Sequence, residues 1–231
     1  MCGRYTIRTS LQKIIEAMSP VLAKLDPILF ESRYNVAPSQ DVPAMRAAES
    51  GRELVMLHWG LVPRWADDPA IGNRMINARA ETADTKPAFR DAFKRRRCLL
   101  VADGFYEWKA ELDGKQPYFI HMRDDAPFAI AGLWEKWKHD DQSLESCTLL
   151  TTSPNEIVKP IHDRMPAILA KADYDAWLDP KTDPDTIKIL LKPFAAEAMD
   201  ARPVDRSVNN PKAKGPFDQR KDVQPETFWR I

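Results

Sequence analysis

The sequence predicts an α+β fold: a single domain with a curved, mostly antiparallel β-sheet or barrel-like core and short helices at its margins. Three observations carry this expectation. Extended apolar runs crowd the middle of the chain. Helical spacing of apolar residues is confined to short outlying segments. No repeat and no linker divides the 231 residues, a length that suits one generous domain.

The elements follow in order. "SLQKIIEAM" places Leu11, Ile14, Ile15 and Met18 at helical spacing, with Ser10 available as the cap. "RYNVAPSQDVPAM" reads as short extended pieces broken by prolines. In "RELVMLHWGLVPRW", Leu54, Met56 and His58 alternate with Val55, Leu57 and Trp59, as in a buried strand. "KPAFRDAFKRR" reads as a helix with Pro87 in its first turn and Phe89, Ala92 and Phe93 on one face. The stretch "RCLLVADGFYEWKAELDGKQPYFIHM" holds two extended runs around an Asp113–Gly114 turn, a hairpin signal. "PFAIAGLWEKW" and "SCTLLTT" continue the sheet. "SPNE" has the form of a capping box with Pro154 in the first helical turn, and "MPAIL" is strand-like. Two short helices are expected near Asp173 and at Asp183–Pro184. The polar tail, from about Pro211 onward, is expected to be loosely held.

Composition narrows the function classes. At 44% hydrophobic, the chain can build a substantial core and is not a disordered polymer. Its 34 basic and 34 acidic residues cancel, which argues against a nonspecific polyanion binder yet leaves room for a local basic patch. With 19 prolines against 8 glycines, loops are expected to be stiffened rather than flexible. The first apolar run, around Ile14 and Ile15, is short and interrupted by charges, and no stretch approaches a membrane span. Cys2, Cys98 and Cys147 are too few and too odd in number for a disulfide framework, so free thiols and a cytoplasmic location are expected. These cysteines and His58, His121, His139 and His162 show no metal-ligand spacing, and neither a metal nor a cofactor is expected. Cys98 and Cys147 sit in apolar strand runs and read as inert buried thiols.

Four short segments carry more polar and aromatic groups than folding needs: "CGRY", "NARAET", "ADGFYEW" and "IHDRMP". Trimming of Met1 would give Cys2 a free α-amine beside its thiol, a pair that no internal cysteine offers; the other reading is a chance cysteine on a frayed end. Glu107 lies between Tyr106 and Trp108, where burial would raise its pKa and suit it to acid–base work, or it is a surface carboxylate on an alternating strand. His162 could move protons near neutral pH, or fix a loop. Asn77 could orient a substrate through its amide, or cap a turn.

In order and spacing, "MCGRYT", "INARAET", "KPAFRDAFKRRRCLLVADGFYEW" and "IHDRMPAIL" resemble the SOS-response-associated peptidase family, whose members are also described as abasic-site-processing proteins. The resemblance runs from Cys2 to about Asn210 and includes "RYNVAPSQ" and "WGLVPRWA". His58 stands where the family commonly has arginine, and Val101 where proline is common; neither is a proposed reactive group. The resemblance implies a DNA-damage enzyme that caps abasic sites in single-stranded DNA. The aminothiol of Cys2, freed of Met1, would condense with the aldehyde of the opened sugar, first to a Schiff base and then to a thiazolidine. In ordinary peptides the amine titrates at about 8 and the thiol at about 8.5, so both are partly reactive at neutral pH. Glu107 would shuttle protons, His162 would assist, and Asn77 would hold the sugar. Autoproteolytic removal of the leading residue would use the same nucleophile. DNA would be held by Arg4, Arg79, Arg90 and the run Lys94–Arg97 at phosphates, with Trp65, Trp108 and Pro38 against bases. Trp59, Trp134 and Trp137 read as core.

Two other classes share these residues. One is an N-terminal-nucleophile cysteine peptidase acting on proteins. The other is a non-catalytic module that binds damaged DNA reversibly. A monomer is the default, with no obligatory protein partner.

Overall fold

Strands far apart in sequence meet to close the central sheet. The computed structural model describes residues 2–20, 22–25, 30–49 and 51–217. The first part of the chain holds β1 (Tyr5–Ile7), α1 (Leu11–Met18), β2 (Leu22–Ala23), β3 (Arg33–Val36), β4 (Asp41–Ala48) and β5 (Gly51–Trp59). Next come β6 (Asn77–Arg79), α2 (Arg90–Arg95), β7 (Arg97–Ala102), β8 (Gly104–Glu111), β9 (Gly114–Met122), β10 (Phe128–His139) and β11 (Gln142–Thr152). The last are β12 (Met165–Pro166), β13 (Ile168–Leu169), α3 (Tyr174–Leu178), α4 (Pro184–Leu190) and β14 (Met199–Pro203).

β11, β10, β7, β4 and β5 pair antiparallel in that order. β5 then returns to β11 through a parallel pairing, Ser146 opposite His58 and Cys147 opposite Trp59, which closes a barrel. Closure leaves these strands without free edges. β7, with ladders on both sides, is buried from Arg97 to Ala102, as its unbroken apolar run suggests. Gly132 in β10 lies opposite Cys98, and a Cβ there would come within 2.1 Å of Leu100 Cδ1 and 3.0 Å of the Thr148 carbonyl oxygen. Only glycine fits this barrel wall.

A second antiparallel sheet, ordered β14-β9-β8-β1-β3, packs against the barrel. The two-residue period of β8 and β9 splits their side chains between two cores. Phe105 and Ile120 join Tyr5 in the main core. Tyr106 and Phe119 face outward and pack with Val204, Val208 and Phe217. The segment 204–217 therefore straps the outer face. Asn35 Nδ2 donates to the carbonyls of Val208, Asn210 and Ala213 at 3.4, 3.0 and 3.1 Å. The part of the tail from Pro211 to Phe217, expected to be loose, thus reaches a buried anchor; residues 218–231 lie outside the described residues.

Several local readings are corrected. The helix expected over 86–96 is only Arg90–Arg95, because residues 80–89 form a succession of turns and Pro87 precedes the helix. Ala92 and Phe93 are nonetheless its buried face. "SPNE" starts no helix. Asn155, rather than Ser153, organises a turn there by accepting from the Val158 amide at 3.0 Å while its Nδ2 donates to the Phe194 carbonyl at 2.9 Å. β4 runs on through Pro43, which sits beyond the pairing of β4 with β7 that starts at Ala44. The hairpin register sets Glu111 opposite Gly114, so Leu112 and Asp113 form the loop and Gly114, at φ 121°, follows it. α1 and α4 form where expected, capped by Ser10 and Asp183. Among the described residues, no helix is long and apolar enough to cross a membrane.

Candidate active site

β1 lies beside β8 with Tyr5 opposite Phe105 and Thr6 opposite Gly104. The Tyr106 amide donates to the Arg4 carbonyl at 2.9 Å, and this register continued toward the terminus sets Gly3 level with Glu107. The reactive candidates Cys2 and Glu107 are thereby neighbours through backbone pairing alone.

Asp103 anchors the arm from below. Its buried carboxylate accepts from Thr6 Oγ1 at 2.5 Å, the Arg8 amide at 2.5 Å, the Thr9 amide at 2.6 Å, Thr9 Oγ1 at 2.8 Å and Arg8 Nε at 3.1 Å. Gly104 follows because a Cβ there would strike the Phe119 ring at 2.2 Å. Arg4 locks the arm from the side: its Nη1 donates to Asn35 Oδ1 at 2.6 Å and to the Val208 carbonyl at 2.8 Å.

Cys2 is fully buried, with its thiol 3.8 Å from the Arg4 carbonyl oxygen. Burial, reinforced by the charge of Glu107, pushes the thiol well above its ordinary range. Burial thus opposes ionisation of the thiol, and sulfur chemistry here calls for a proton acceptor. Glu107 is 2% exposed, and burial pushes its carboxyl up from 4.5 to about 7. A carboxyl in that range exchanges protons readily at neutral pH.

His162 follows a turn in which its amide donates to the Val158 carbonyl at 2.9 Å, just ahead of β12. Its Nε2 is 3.8 Å from Glu107 Oε2. Burial holds the imidazole below its ordinary pKa. The Arg164 amide donates to Nδ1 at 3.0 Å, a bond that requires the neutral ring's proton on Nε2, toward Glu107. Asn77 opens β6, which runs parallel to β11 with Asn77 opposite Leu149. Both atoms of its amide are buried and make no hydrogen bond among the described residues. An unpaired buried amide costs about 1–3 kcal/mol per group.

The proposed DNA contacts divide. Arg79 and Arg90 are exposed, Trp65 is 59% exposed, and Pro38 is half-buried in the turn between β3 and β4. Trp65 stands with Ile71 and Arg74 beside an open groove of about 440 Å³. Trp108 is half-buried, its Nε1 donating to Asn209 Oδ1 at 2.7 Å, so the strap sets its ring. Arg4 has one guanidinium nitrogen committed within the protein. In the basic run, Lys94 and Arg95 are exposed, Arg96 pairs with Glu135 at 2.7 Å, and Arg97 is buried. Arg97 donates to the carbonyls of Trp177, Phe93, Lys94 and Asp179. Cys98 and Cys147 are fully buried free thiols, and Trp59 and Trp137 are core. Trp134 is only partly buried, with the Arg46 guanidinium 4.2 Å above its ring.

The sequence reading overlooked Asp103, Arg8 and the pair Glu81–Arg164. Asp103, Glu81 and Arg164 lie inside the quoted motifs, but their roles depend on partners up to 97 residues away.

A sequence profile of the family described as SOS response associated peptidase (SRAP) matches residues 1–211. This chain belongs to the SRAP family. It is 46% identical over 220 residues to the abasic site processing protein YoaM of Bacillus subtilis, covering 92% of this chain and 94% of that one. It is 29% identical to the abasic site processing protein YedK of Escherichia coli, covering 93% and 97% of the two chains. Among solved structures, a protein from Bacteroides thetaiotaomicron superposes on this SRAP chain with a TM-score of 0.83 at 28% identity, over 89% of this chain and 93% of that one. The SRAP match includes all four segments that place Cys2, Asn77, Glu107 and His162.

Proposed function

We propose that this SRAP protein caps abasic sites in DNA through a thiazolidine formed by Cys2 once Met1 has been removed. The observation that carries the reading is the burial of the Cys2 thiol beside a carboxyl that titrates at about 7, with His162 Nε2 3.8 Å from that carboxyl. The names borne by YoaM and YedK support abasic DNA as the substrate. Met1 itself lies outside the described residues.

The chemistry follows with atoms balanced. The Cys2 amine adds to the aldehyde carbon of the opened sugar to give a carbinolamine. Protonated Glu107 gives its proton to the carbinolamine hydroxyl, which leaves as water, and an iminium forms. Sulfur then attacks the iminium carbon, the C=N electron pair moves to nitrogen, and the thiol proton passes to the Glu107 carboxylate. Glu107 is restored, and one water is lost overall. His162, with its proton on Nε2, can donate to Glu107 while it is ionised and so steady each intermediate stage. Asn77 would take up the sugar oxygens with its unpaired amide. Arg79 and Arg90, with exposed Lys94 and Arg95, would meet phosphates. Trp65, Trp108 and Pro38 would meet bases of a single strand, the form in which bases are free to stack.

Intact mass spectrometry of the protein with an abasic single-stranded oligonucleotide tests this. The expected spectrum shows a chain lacking Met1 and an adduct equal to protein plus oligonucleotide minus one water. Cys2→Ala, or acetylation of the terminal amine, should leave no adduct. A normal adduct with Cys2→Ala would overturn the mechanism.

A further inference from the structure

Two groups compete for one nitrogen of His162. The Arg164 backbone amide donates to Nδ1 at 3.0 Å, while Asp163 Oδ1 also lies 3.0 Å from Nδ1. The first partner requires a lone pair on Nδ1 and so puts the proton on Nε2. The second requires Nδ1–H and would leave Nε2 bare toward Glu107. The tautomer of the catalytic imidazole therefore depends on how firmly the Arg164 backbone is held against the ring.

That firmness comes from outside the loop. Arg164 Nη1 and Nη2 donate to Glu81 Oε1 and Oε2, both at 2.8 Å, a bidentate fork. Nη2 also donates to the Thr151 carbonyl at 2.5 Å. Thr151 is itself tied in register to Arg79 of β6 and Pro166 of β12. Glu81, just after β6, thus binds the His162 loop to the segment that carries Asn77. Among the described residues Asp163 has no comparable tether, and its side chain is 87% exposed. The fork also keeps the Glu81 carboxyl below its ordinary pKa, so the pair stays charged at neutral pH.

We propose that Glu81 is a positioning residue: by clamping Arg164 it holds the Arg164 amide on His162 Nδ1 and keeps the imidazole proton on Nε2, facing Glu107. This rests on the proton-transfer role assigned to His162 above. With the clamp released, the loop can move and Asp163 can capture an Nδ1–H. The ring then presents a lone pair to Glu107, and its donor is lost. Besides Asp163, the charges acting on the ring are the terminal amine and Lys115; both oppose protonation, and neither chooses between the two nitrogens.

The test is nitrogen NMR of histidine-labelled protein without DNA, with the His162 signals assigned by their loss in His162→Gln. Wild type is expected to show a pyridine-type Nδ1 and a pyrrole-type Nε2. Glu81→Ala should move Nδ1 toward the pyrrole type, and Glu81→Ala combined with Asp163→Asn should restore the wild-type pattern. Arg164→Lys, which keeps the charge but lacks the fork, should shift Nδ1 in the same direction and stands in if Glu81→Ala does not fold. In parallel, the single-turnover rate of adduct formation at saturating abasic oligonucleotide should fall about tenfold in Glu81→Ala. Its affinity for an intact oligonucleotide should not change. A wild-type Nδ1 of pyrrole type overturns the inference. So does an unchanged Nδ1 in folded Glu81→Ala, or an unchanged rate. Absence of any adduct in wild type would count against the capping chemistry, while the nitrogen shifts would still decide the role of Glu81.

Discussion

Glu107 and His162 face each other across two separate segments, carboxyl Oε2 to imidazole Nε2 at 3.8 Å, and burial favours the neutral form of both. The carboxyl is raised to about 7 and the imidazole is lowered from its usual value. A carboxyl that titrates near neutral pH can give up a proton and take it back within one reaction. The arrangement suits a reaction in which one carboxyl first gives a proton and then takes one back.

The first prediction concerns the cost of that carboxyl. Its folded pKa of about 7 exceeds the ordinary 4.5, so the folded state holds the proton more tightly. Below 4.5 both states are protonated and there is no penalty. As the pH rises from 4.5 to about 7, the unfolded chain ionises first and stability falls. Above that window the wild type carries a penalty of about 3 kcal/mol, from the pKa difference at 1.36 kcal/mol per unit. Glu107→Gln should therefore match wild type in acid and exceed it by about 3 kcal/mol at mildly alkaline pH. Adduct formation should fall by about 10²–10⁴. Urea unfolding at several pH values, with single-turnover cross-linking, measures both; an alkaline stability equal to wild type would refute a buried, raised carboxyl.

Asp103 supplies the second. Its carboxylate takes the Arg8 and Thr9 amides, two hydroxyls and the Arg8 guanidinium. Removing it strands buried donors and a cation that keeps 24% side-chain exposure. Asp103→Ala should cost about 3 kcal/mol in denaturant unfolding and slow cross-linking by loosening the Cys2 arm. Asp103→Asn, still able to accept some of these bonds, should cost less. Equal stability of the alanine variant and wild type would remove Asp103 from this role.

Much of this site was legible in the sequence, and what was missed has a physical reason. Glu107, flanked by two aromatics, read either as a buried acid–base group or as a surface carboxylate on an alternating strand, and the structure buries it. The two-residue period then gave Tyr106 to the outer core and Glu107 to the inner one. The central hairpin and the barrel strands were visible as apolar runs of the right length. Barrel closure was not, because the parallel contact of Cys147 with Trp59 leaves no local mark. Asp103 was equally silent: its bonds go to Thr6, Arg8 and Thr9, and nothing within its own segment records them. "KRRR" read as one basic patch, yet the end of α2 turns Arg97 inward while Lys94 and Arg95 stay in water.

That division gives the third prediction. Lys94→Ala and Arg95→Ala should leave the melting temperature near wild type. If these side chains meet phosphates, each should reduce the salt slope of single-stranded DNA binding by about 0.7. Arg97→Ala should instead destabilise the fold by about 2–4 kcal/mol, because the carbonyls of Trp177, Phe93 and Asp179 lose their donor in a buried place. Salt titrations of oligonucleotide binding and thermal melts separate the two kinds of arginine. A stable Arg97→Ala protein with weakened DNA binding would reverse the assignment.

The last prediction tests whether the strap over the outer face sets the Trp108 ring. Trp108 Nε1 donates to Asn209 Oδ1, and Asn209 adjoins Val208, which is fully buried between Tyr106 and Phe119. The bond joins a half-buried ring to an exposed loop, so its worth to folding is small, about 0.5–1 kcal/mol. Its worth to binding is larger if the ring stacks on a base, because a freed indole must be ordered again each time. Asn209→Ala should therefore melt within a few degrees of wild type. It should nonetheless bind intact single strands about three- to tenfold more weakly, while Trp108→Ala loses about 1–3 kcal/mol of binding. In the Trp108→Ala background, Asn209→Ala should have no further effect on affinity, since its only route to the DNA is through the ring. An additive loss in the double variant would show that Asn209 touches DNA by itself and that the strap does not act through Trp108.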